Sequence, residues 1–147
     1  LLAESLAGSG AIGTLLNHSE HKVMLEVLEK SIRRAREAGL IVVACAKDEK
    51  EAGKISRLRP DFIAVEPPEL IGGNVSVSKA KPEVVSDSVA AVKSANTSIK
   101  VLCGAGVNSR EDVEKALELG TEGILVASAV VLAKDPERAL LGLISRV

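Results

Sequence analysis

The stretch LIVVACAKDEKEAGKISRLRPDFIAVE, residues 40–66, contains the unit that decides the fold. Two short runs in it, 40–46 and 61–66, are almost continuously apolar, which is typical of strands buried on both faces of a sheet. The charged segment between them, residues 48–59, predicts a short helix. A strand, a helix and a strand in this order predict two parallel strands joined by a right-handed crossover.

The same alternation continues in both directions along the chain. Apolar runs predict further strands at 11–17, 99–105 and 122–128, and apolar stripes with capping residues predict helices at 24–39, 81–96, 109–120 and 135–147. The pattern indicates a single α/β domain, residues 1–147, with a parallel sheet that is either open and doubly wound or part of a closed barrel. A complete eight-stranded barrel takes roughly 200 residues or more, so a barrel would be partial.

Composition limits the classes of function. The chain has a net charge of −1 and one aromatic residue, Phe62, so neither charge nor base stacking favours a nucleic acid partner. No long apolar run predicts a membrane span. Cys45 and Cys103 lie inside apolar runs, and we expect buried thiols in a reducing compartment, the cytoplasm, rather than a disulfide. No metal-ligand spacing or dinucleotide fingerprint is present, so no cofactor is expected.

Two residues at predicted strand ends are candidates for catalysis, because active sites of parallel α/β proteins lie there. His18, within the motif NHSE, can polarise a bound oxygen, and the alternative is an incidental histidine in a loop capped by Ser19 or Glu20. Glu66 ends a buried strand, where partial desolvation should raise the carboxyl pKa towards that of a general base. The alternative for Glu66 is a purely structural acid.

The segment PPELIGG, residues 67–73, has the features of a loop that closes over a site. Its paired prolines fix two successive φ angles, whereas Gly72 and the glycine after it free the far end. This pattern predicts a rigid base beside a mobile loop that carries Ile71 across the site.

Small residues follow the last two predicted strands. Gly104, Gly106, Ala127 and Ser128 have little or no side chain to cover their backbone N–H groups. In barrels, the loops after the last two strands commonly form a phosphate site. We therefore expect an anion to bind here.

In combination, these motifs resemble the triosephosphate isomerases, specifically their short archaeal-type branch. The phrases GTLLNHSE, IAVEPPELIGG, VSKAKPEVV and VLCGAGV occur in order, and the resemblance covers essentially the whole chain. It implies a partial (β/α)8 barrel, the family's fourth to eighth strands, that interconverts dihydroxyacetone phosphate and glyceraldehyde 3-phosphate without a cofactor. The implied roles are the base for Glu66, the neutral electrophile for His18, phosphate binding for Ile71, Gly106, Ala127 and Ser128, and support for Asn17, Glu20, Gly72 and Gly104.

The sequence departs from the family in one respect. The family's first strand carries an Asn-x-Lys element whose lysine contacts the substrate, and no equivalent is found; Lys47 is nearest but does not match. Strands 11–17 and 122–128 would then be open edges, so we expect a homo-oligomer or completion by an N-terminal segment. Two alternatives remain: an inactive, self-associating barrel fragment, or another phosphate-binding barrel enzyme such as those of tryptophan or histidine synthesis, against which NHSE and EPPELIGG argue.

Overall fold

The computed structural model describes residues 1–71 and 76–144, except for the side chains of Glu69 and Val77. The described strands are β1 (Gly13–Leu16), β2 (Ile41–Ala46), β3 (Phe62–Val65), β4 (Lys100–Cys103) and β5 (Gly123–Ile124). The described helices are α1 (Ala3–Gly8), α2 (Leu25–Glu37), α3 (Glu49–Ser56), α4 (Val77–Ala80), α5 (Pro82–Ala95), α6 (Arg110–Glu118), α7 (Ser128–Val131) and α8 (Pro136–Ile144). Within these ranges, no helix combines the length and the apolarity needed to cross a membrane.

The sheet has the strand order of a barrel segment. All four strand pairings are parallel, and the strands lie side by side in chain order, β1-β2-β3-β4-β5. A doubly wound sheet reverses its strand order at a switch point, whereas a (β/α)8 barrel does not. The predicted partial-barrel architecture is therefore confirmed.

The helices are held to the sheet by their apolar stripes. On α2, Leu28, Ile32 and Ala35 lie on one face and are buried in a core shared with β2 and β3. Leu25, which belongs to the same predicted stripe, is exposed, because it lies in the first turn at the margin of that core. A second apolar cluster, which includes Val85, Cys103, Ala105, Val113 and Leu143, lies beneath β4 and β5.

The last strand is shorter than predicted. The apolar run 122–128 predicts seven strand residues, but β5 contains only Gly123 and Ile124. The ladder continues through one further bond, from the Leu125 N–H to the Cys103 carbonyl at 2.9 Å, and α7 then begins at Ser128. The four-residue helices α4 and α7 were not predicted, because a single turn is too short to show a helical period.

Apolar side chains remain exposed along both ends of the described sheet. Ile12 is 79% exposed beside β1, and Leu132 is 81% exposed beyond β5. Leu15, Met24, Val131 and Leu141 are also exposed in these regions. We call these six residues the apolar edges, and exposed apolar side chains beside open sheet edges are typical of surfaces that another strand or helix covers.

Candidate active site

A cleft of about 290 Å³ opens at the C-terminal ends of the strands. It is lined by residues that follow β1, β3, β4 and β5, although these segments are far apart in the chain. Among them are the predicted site residues His18, Glu66, Ile71, Gly104, Gly106, Ala127 and Ser128. Six further lining residues were not predicted, because they adjoin predicted positions but carry no distinctive chemistry of their own: Leu15, Val107, Asn108, Leu125, Val126 and Ala129. Gly72 lies outside the described residues.

The Glu66 carboxylate is buried at the floor of this cleft. The residue is 4% exposed, and its Oε2 has no hydrogen-bond partner among the described residues. Burial raises the pKa of the Glu66 carboxyl above its ordinary value, and a hydrogen bond from the Cys45 thiol and the charge of Lys22 oppose that increase in part. The result is a desolvated carboxylate with one oxygen available to accept a proton.

Gly104 makes room for this carboxylate. A Cβ at position 104 would lie 2.5 Å from Glu66 Cγ and 2.8 Å from its Oε1, distances that real contacts do not tolerate. The backbone N–H of Gly104 donates to the Val65 carbonyl at 3.0 Å. The expectation that this N–H is uncovered is therefore wrong, because the β3–β4 ladder continues to Gly104.

His18 directs one ring nitrogen towards Glu66. The backbone N–H of Glu20 donates to His18 Nδ1 at 3.4 Å, within a short 3₁₀ turn, Ser19–His21. In the neutral ring an accepting Nδ1 leaves the proton on Nε2. His18 Nε2 lies 3.7 Å from Glu66 Oε2, so a hydrogen-bond donor and a proton acceptor face the same part of the cleft. Glu20 also places its carboxylate 3.6 Å from Nδ1, on the opposite side of the ring.

Asn17 fixes the chain immediately before His18. Its backbone adopts a positive φ of 59°, and its side chain is buried. The amide Nδ2 donates to the Cys45 carbonyl at 2.9 Å and to Glu51 Oε1 at 3.1 Å, while Oδ1 accepts from the Val23 N–H at 3.1 Å. These bonds join the end of β1 to the end of β2, and the supporting role of Asn17 in the site stays a prediction.

The variant Asn17→Ala is expected to lower the free energy of unfolding by about 2–4 kcal/mol, because it leaves buried backbone partners unpaired. Urea denaturation would measure this loss. Asn17→Gly is the matched control, since glycine accepts the positive φ without strain. If Asn17→Gly were as stable as the parent, the side-chain bonds would not be the cause.

The far end of the cleft is built from small residues. Gly106 has a φ of +67°, and the Asn108 side chain donates to its carbonyl at 2.7 Å. Ala127 precedes α7, and Ser128 is its first residue. N–H groups in the first turn of a helix have no partner within that helix, so they can bind an anion.

Other predicted features of the site can be located. Lys47 lines a different cleft, with Asp48, Lys50 and Lys54, rather than the one that contains Glu66. Cys45 and Cys103 are free and buried, as predicted. In residues 1–71 and 76–144, no group of three His, Cys, Asp or Glu side chains could hold a metal ion.

Comparison with known proteins identifies the relatives of this chain. Residues 1–146 match the family model described as triosephosphate isomerase. The triosephosphate isomerase of Methanothermus fervidus is 49% identical over 147 residues, which are 100% of this chain and 66% of that protein. The triosephosphate isomerase of Archaeoglobus fulgidus is 52% identical over 138 residues, which are 94% of this chain and 62% of that protein. The chain thus spans less than two thirds of the length of these relatives.

Solved structures are similar in fold at much lower identity. A thiamine phosphate pyrophosphorylase from Pyrococcus furiosus superposes with a TM-score of 0.66 and 21% identity, over 96% of this chain and 61% of its own. A structure titled native KDPGal gives a TM-score of 0.65 and 19% identity, over 96% of this chain and 59% of its own. At such identities the likeness shows the fold alone.

Proposed function

Because this chain belongs to the triosephosphate isomerase family, we propose that it carries the catalytic residues of a cofactor-free isomerase that interconverts dihydroxyacetone phosphate and glyceraldehyde 3-phosphate. The observation that carries the proposal is the buried Glu66 Oε2, which has no partner among the described residues and lies 3.7 Å from His18 Nε2. A base and a hydrogen-bond donor on one side of a small cleft are what a proton transfer beside a carbonyl requires.

This isomerisation needs a base and a hydrogen-bond donor, and we assign these roles to Glu66 and His18. The Glu66 carboxylate removes a proton from the hydroxyl-bearing carbon of dihydroxyacetone phosphate. The electrons of that C–H bond form a carbon–carbon double bond, and the carbonyl π electrons move to oxygen, where His18 Nε2–H donates a hydrogen bond. Protonated Glu66 then returns its proton to the former carbonyl carbon. The proton of the hydroxyl on the first carbon passes to the former carbonyl oxygen through His18 Nε2, so the first carbon becomes the aldehyde. A glutamate base with a neutral histidine is the known pairing of this family, so the assignment of roles comes from family membership.

The phosphate group would occupy the end of the cleft formed by small residues. Gly106, Ala127 and Ser128 line that end, and Ile71 lines the same cleft from the loop after Glu66. Backbone N–H groups near Gly106 and at the start of α7 would bind the phosphate dianion and hold the reacting carbons beside Glu66. This arrangement supports a small phosphorylated triose as the substrate.

Isomerase turnover of glyceraldehyde 3-phosphate tests the proposal. We would assay this chain alone and with an added N-terminal segment of a relative that carries the Asn-x-Lys strand, with Glu66→Ala as the blank. Activity in either assay that disappears in the variant supports the proposal. If neither assay shows activity above the blank, the alternative of an inactive barrel fragment is supported instead.

The apolar edges favour a partner that covers them. We expect the chain, whose mass is 15.3 kDa, to elute from size-exclusion chromatography as an oligomer. The double variant Ile12→Lys/Leu132→Lys should shift it towards the monomer, whereas Lys50→Glu, at an exposed site away from both edges, should not. If the added N-terminal segment instead converts the oligomer to a one-to-one complex, that segment is the preferred partner. A stable monomer that binds no hydrophobic dye would contradict both forms of the proposal.

We place the protein in the cytoplasm. Its two buried thiols are free, which suits a reducing compartment, and the proposed reaction belongs to glycolysis and gluconeogenesis.

A further inference from the structure

Asp112 lies outside the cleft but is one of the few buried carboxylates of the described residues. It stands in the first turn of α6 and is 5% exposed. Its Oδ2 accepts from the backbone N–H groups of Asn108 and Ser109, each at 3.0 Å. Its Oδ1 accepts from Ser76 Oγ at 3.0 Å and from Lys79 Nζ at 2.7 Å. One carboxylate thus binds two segments that are distant in the chain.

These hydrogen bonds favour the ionised form of Asp112 by more than burial disfavours it. Burial raises the pKa of the Asp112 carboxyl, but the hydrogen bonds from Lys79, Asn108 and Ser76 outweigh it and lower the pKa to about 2. Asp112 is therefore ionised at neutral pH, and its two oxygens remain charged acceptors for both segments.

The connection between the segments is reinforced around the carboxylate. Ser78 Oγ donates to the backbone carbonyl of Asp112 at 3.3 Å, and the hydroxyl groups of Ser76 and Ser78 are 3.0 Å apart. Both serines are buried. Capping of α6 needs only the reciprocal bonds between Asp112 and Ser109, so the bonds to residues 76–79 require another explanation.

The other segment forms part of the cleft. The Asn108 N–H bonds to Asp112, and the Asn108 side chain donates to the Gly106 carbonyl at 2.7 Å. Gly106, Val107 and Asn108 all line the cleft. A change at Asp112 would therefore be transmitted through Asn108 to the backbone of Gly106.

We propose that Asp112 is a positioning residue that couples residues 76–80 to loop 104–109 and thereby fixes the backbone at the small-residue end of the cleft. Asp112 does not itself line the cleft, and its effect passes through Asn108, which does. The part of the inference that concerns an anion rests on the proposed function, whereas the coupling of the two segments does not.

Amide hydrogen exchange, read by mass spectrometry, tests the coupling in Asp112→Asn. The carboxamide keeps one acceptor oxygen, and its NH2 group faces donors, so one set of bonds must break. We expect protection to fall at least severalfold in peptides from both 76–80 and 104–109. Glu118→Gln is the control, since it removes a carboxylate charge from the same helix at an exposed position, where its ion-pair partner is Lys115 of that helix, and it should change neither segment.

Binding of inorganic phosphate, measured by NMR, tests the consequence. If one backbone N–H near Gly106 no longer donates a well-placed hydrogen bond to the anion, phosphate binding should weaken by up to about tenfold in Asp112→Asn. The His18 imidazole shifts at fixed pH should stay unchanged, whereas a general loosening of the fold would move them too. Ser76→Ala, which removes a single donor, provides a milder variant should Asp112→Asn unfold, and is expected to lower protection in both segments.

The outcomes separate this inference from the proposed function. If residues 104–109 lose protection while 76–80 do not, Asp112 is only a helix cap and the coupling is wrong. The same conclusion holds if Glu118→Gln matches Asp112→Asn. If the parent chain binds no phosphate while both segments lose protection together, the coupling stands and the proposed anion site fails.

Discussion

Replacing Glu66 with glutamine is expected to lower kcat for the isomerisation by about 10²–10⁴-fold, the usual contribution of a positioned general base. Glutamine has nearly the same shape as glutamate, but it cannot accept and return a proton. The space left by Gly104 and the hydrogen bond from Cys45 remain usable, so KM should change little. The measurement is steady-state turnover of glyceraldehyde 3-phosphate in whichever form is active, the chain alone or the chain with the N-terminal segment.

The same variant is expected to be more stable than the parent at neutral pH. Burial raises the folded-state pKa of Glu66 above its ordinary value of 4.5, so the folded chain binds this proton more tightly than the unfolded chain. The contribution of Glu66 to stability is therefore fully present below pH 4.5 and is lost as pH rises through the raised pKa. Glutamine carries no charge at any pH. The difference in free energy of unfolding between the variant and the parent should therefore grow as the pH rises from 4.5 through the raised pKa.

Urea denaturation at several pH values would measure this difference. Glu83→Gln is the control, because Glu83 is exposed on α5 and does not line the cleft. It should leave both kcat and the pH dependence of stability unchanged. A Glu66→Gln variant that retained full turnover would show that another group is the base.

Gly104→Ala is expected to lower kcat by about 10²-fold, since a displacement of about 1 Å at a reacting group can cost that much. The added Cβ would lie 2.5 Å from Glu66 Cγ, so the carboxylate must move. Because the substitution adds a methyl group at a tightly packed site, the free energy of unfolding should also fall by about 1–3 kcal/mol. Phosphate affinity should be retained, since the displaced group is not at that end of the cleft.

Gly53→Ala is the matched control for this change. Gly53 lies inside α3, and a Cβ there would meet Ala91 Cβ at an ordinary 3.7 Å. Alanine in a helix interior should stabilise the fold by about 0.5–1 kcal/mol and leave kcat unchanged. If Gly104→Ala kept the kcat of the parent, the position of the Glu66 carboxylate would not depend on Gly104.

Local sequence predicted the elements of the fold well. The apolar runs of β2, β3 and β4 and the capping box of α6, in which Ser109 and Asp112 bond reciprocally, all lie where the sequence indicated. Family motifs also selected His18, Glu66, Ile71, Gly106, Ala127 and Ser128, which line one cleft. Their catalytic and binding roles stay predictions that the experiments above would test.

Other features could not be predicted from local pattern. The single-turn helices α4 and α7 and the two-residue β5 are too short for a periodic signal. The bonds of Asp112 to Ser76 and Lys79 join residues that are far apart in the chain, so no local pattern indicated them.

Three features could be read from the sequence alone: the alternation of strands and helices, the end of the strands at which the candidate catalytic residues lie, and the family. These follow from side-chain patterns over a few residues and from motifs in a fixed order. Local patterns left an open and a barrel sheet both possible, and the pairing of β1 to β5 in chain order distinguished them. The folded structure also shows that Gly104 must lack a side chain because Glu66 occupies its space, and that Asn17 ties β1 to β2. Each of these depends on atoms that are far apart in the chain and meet only when the sheet forms, so no local pattern can specify them.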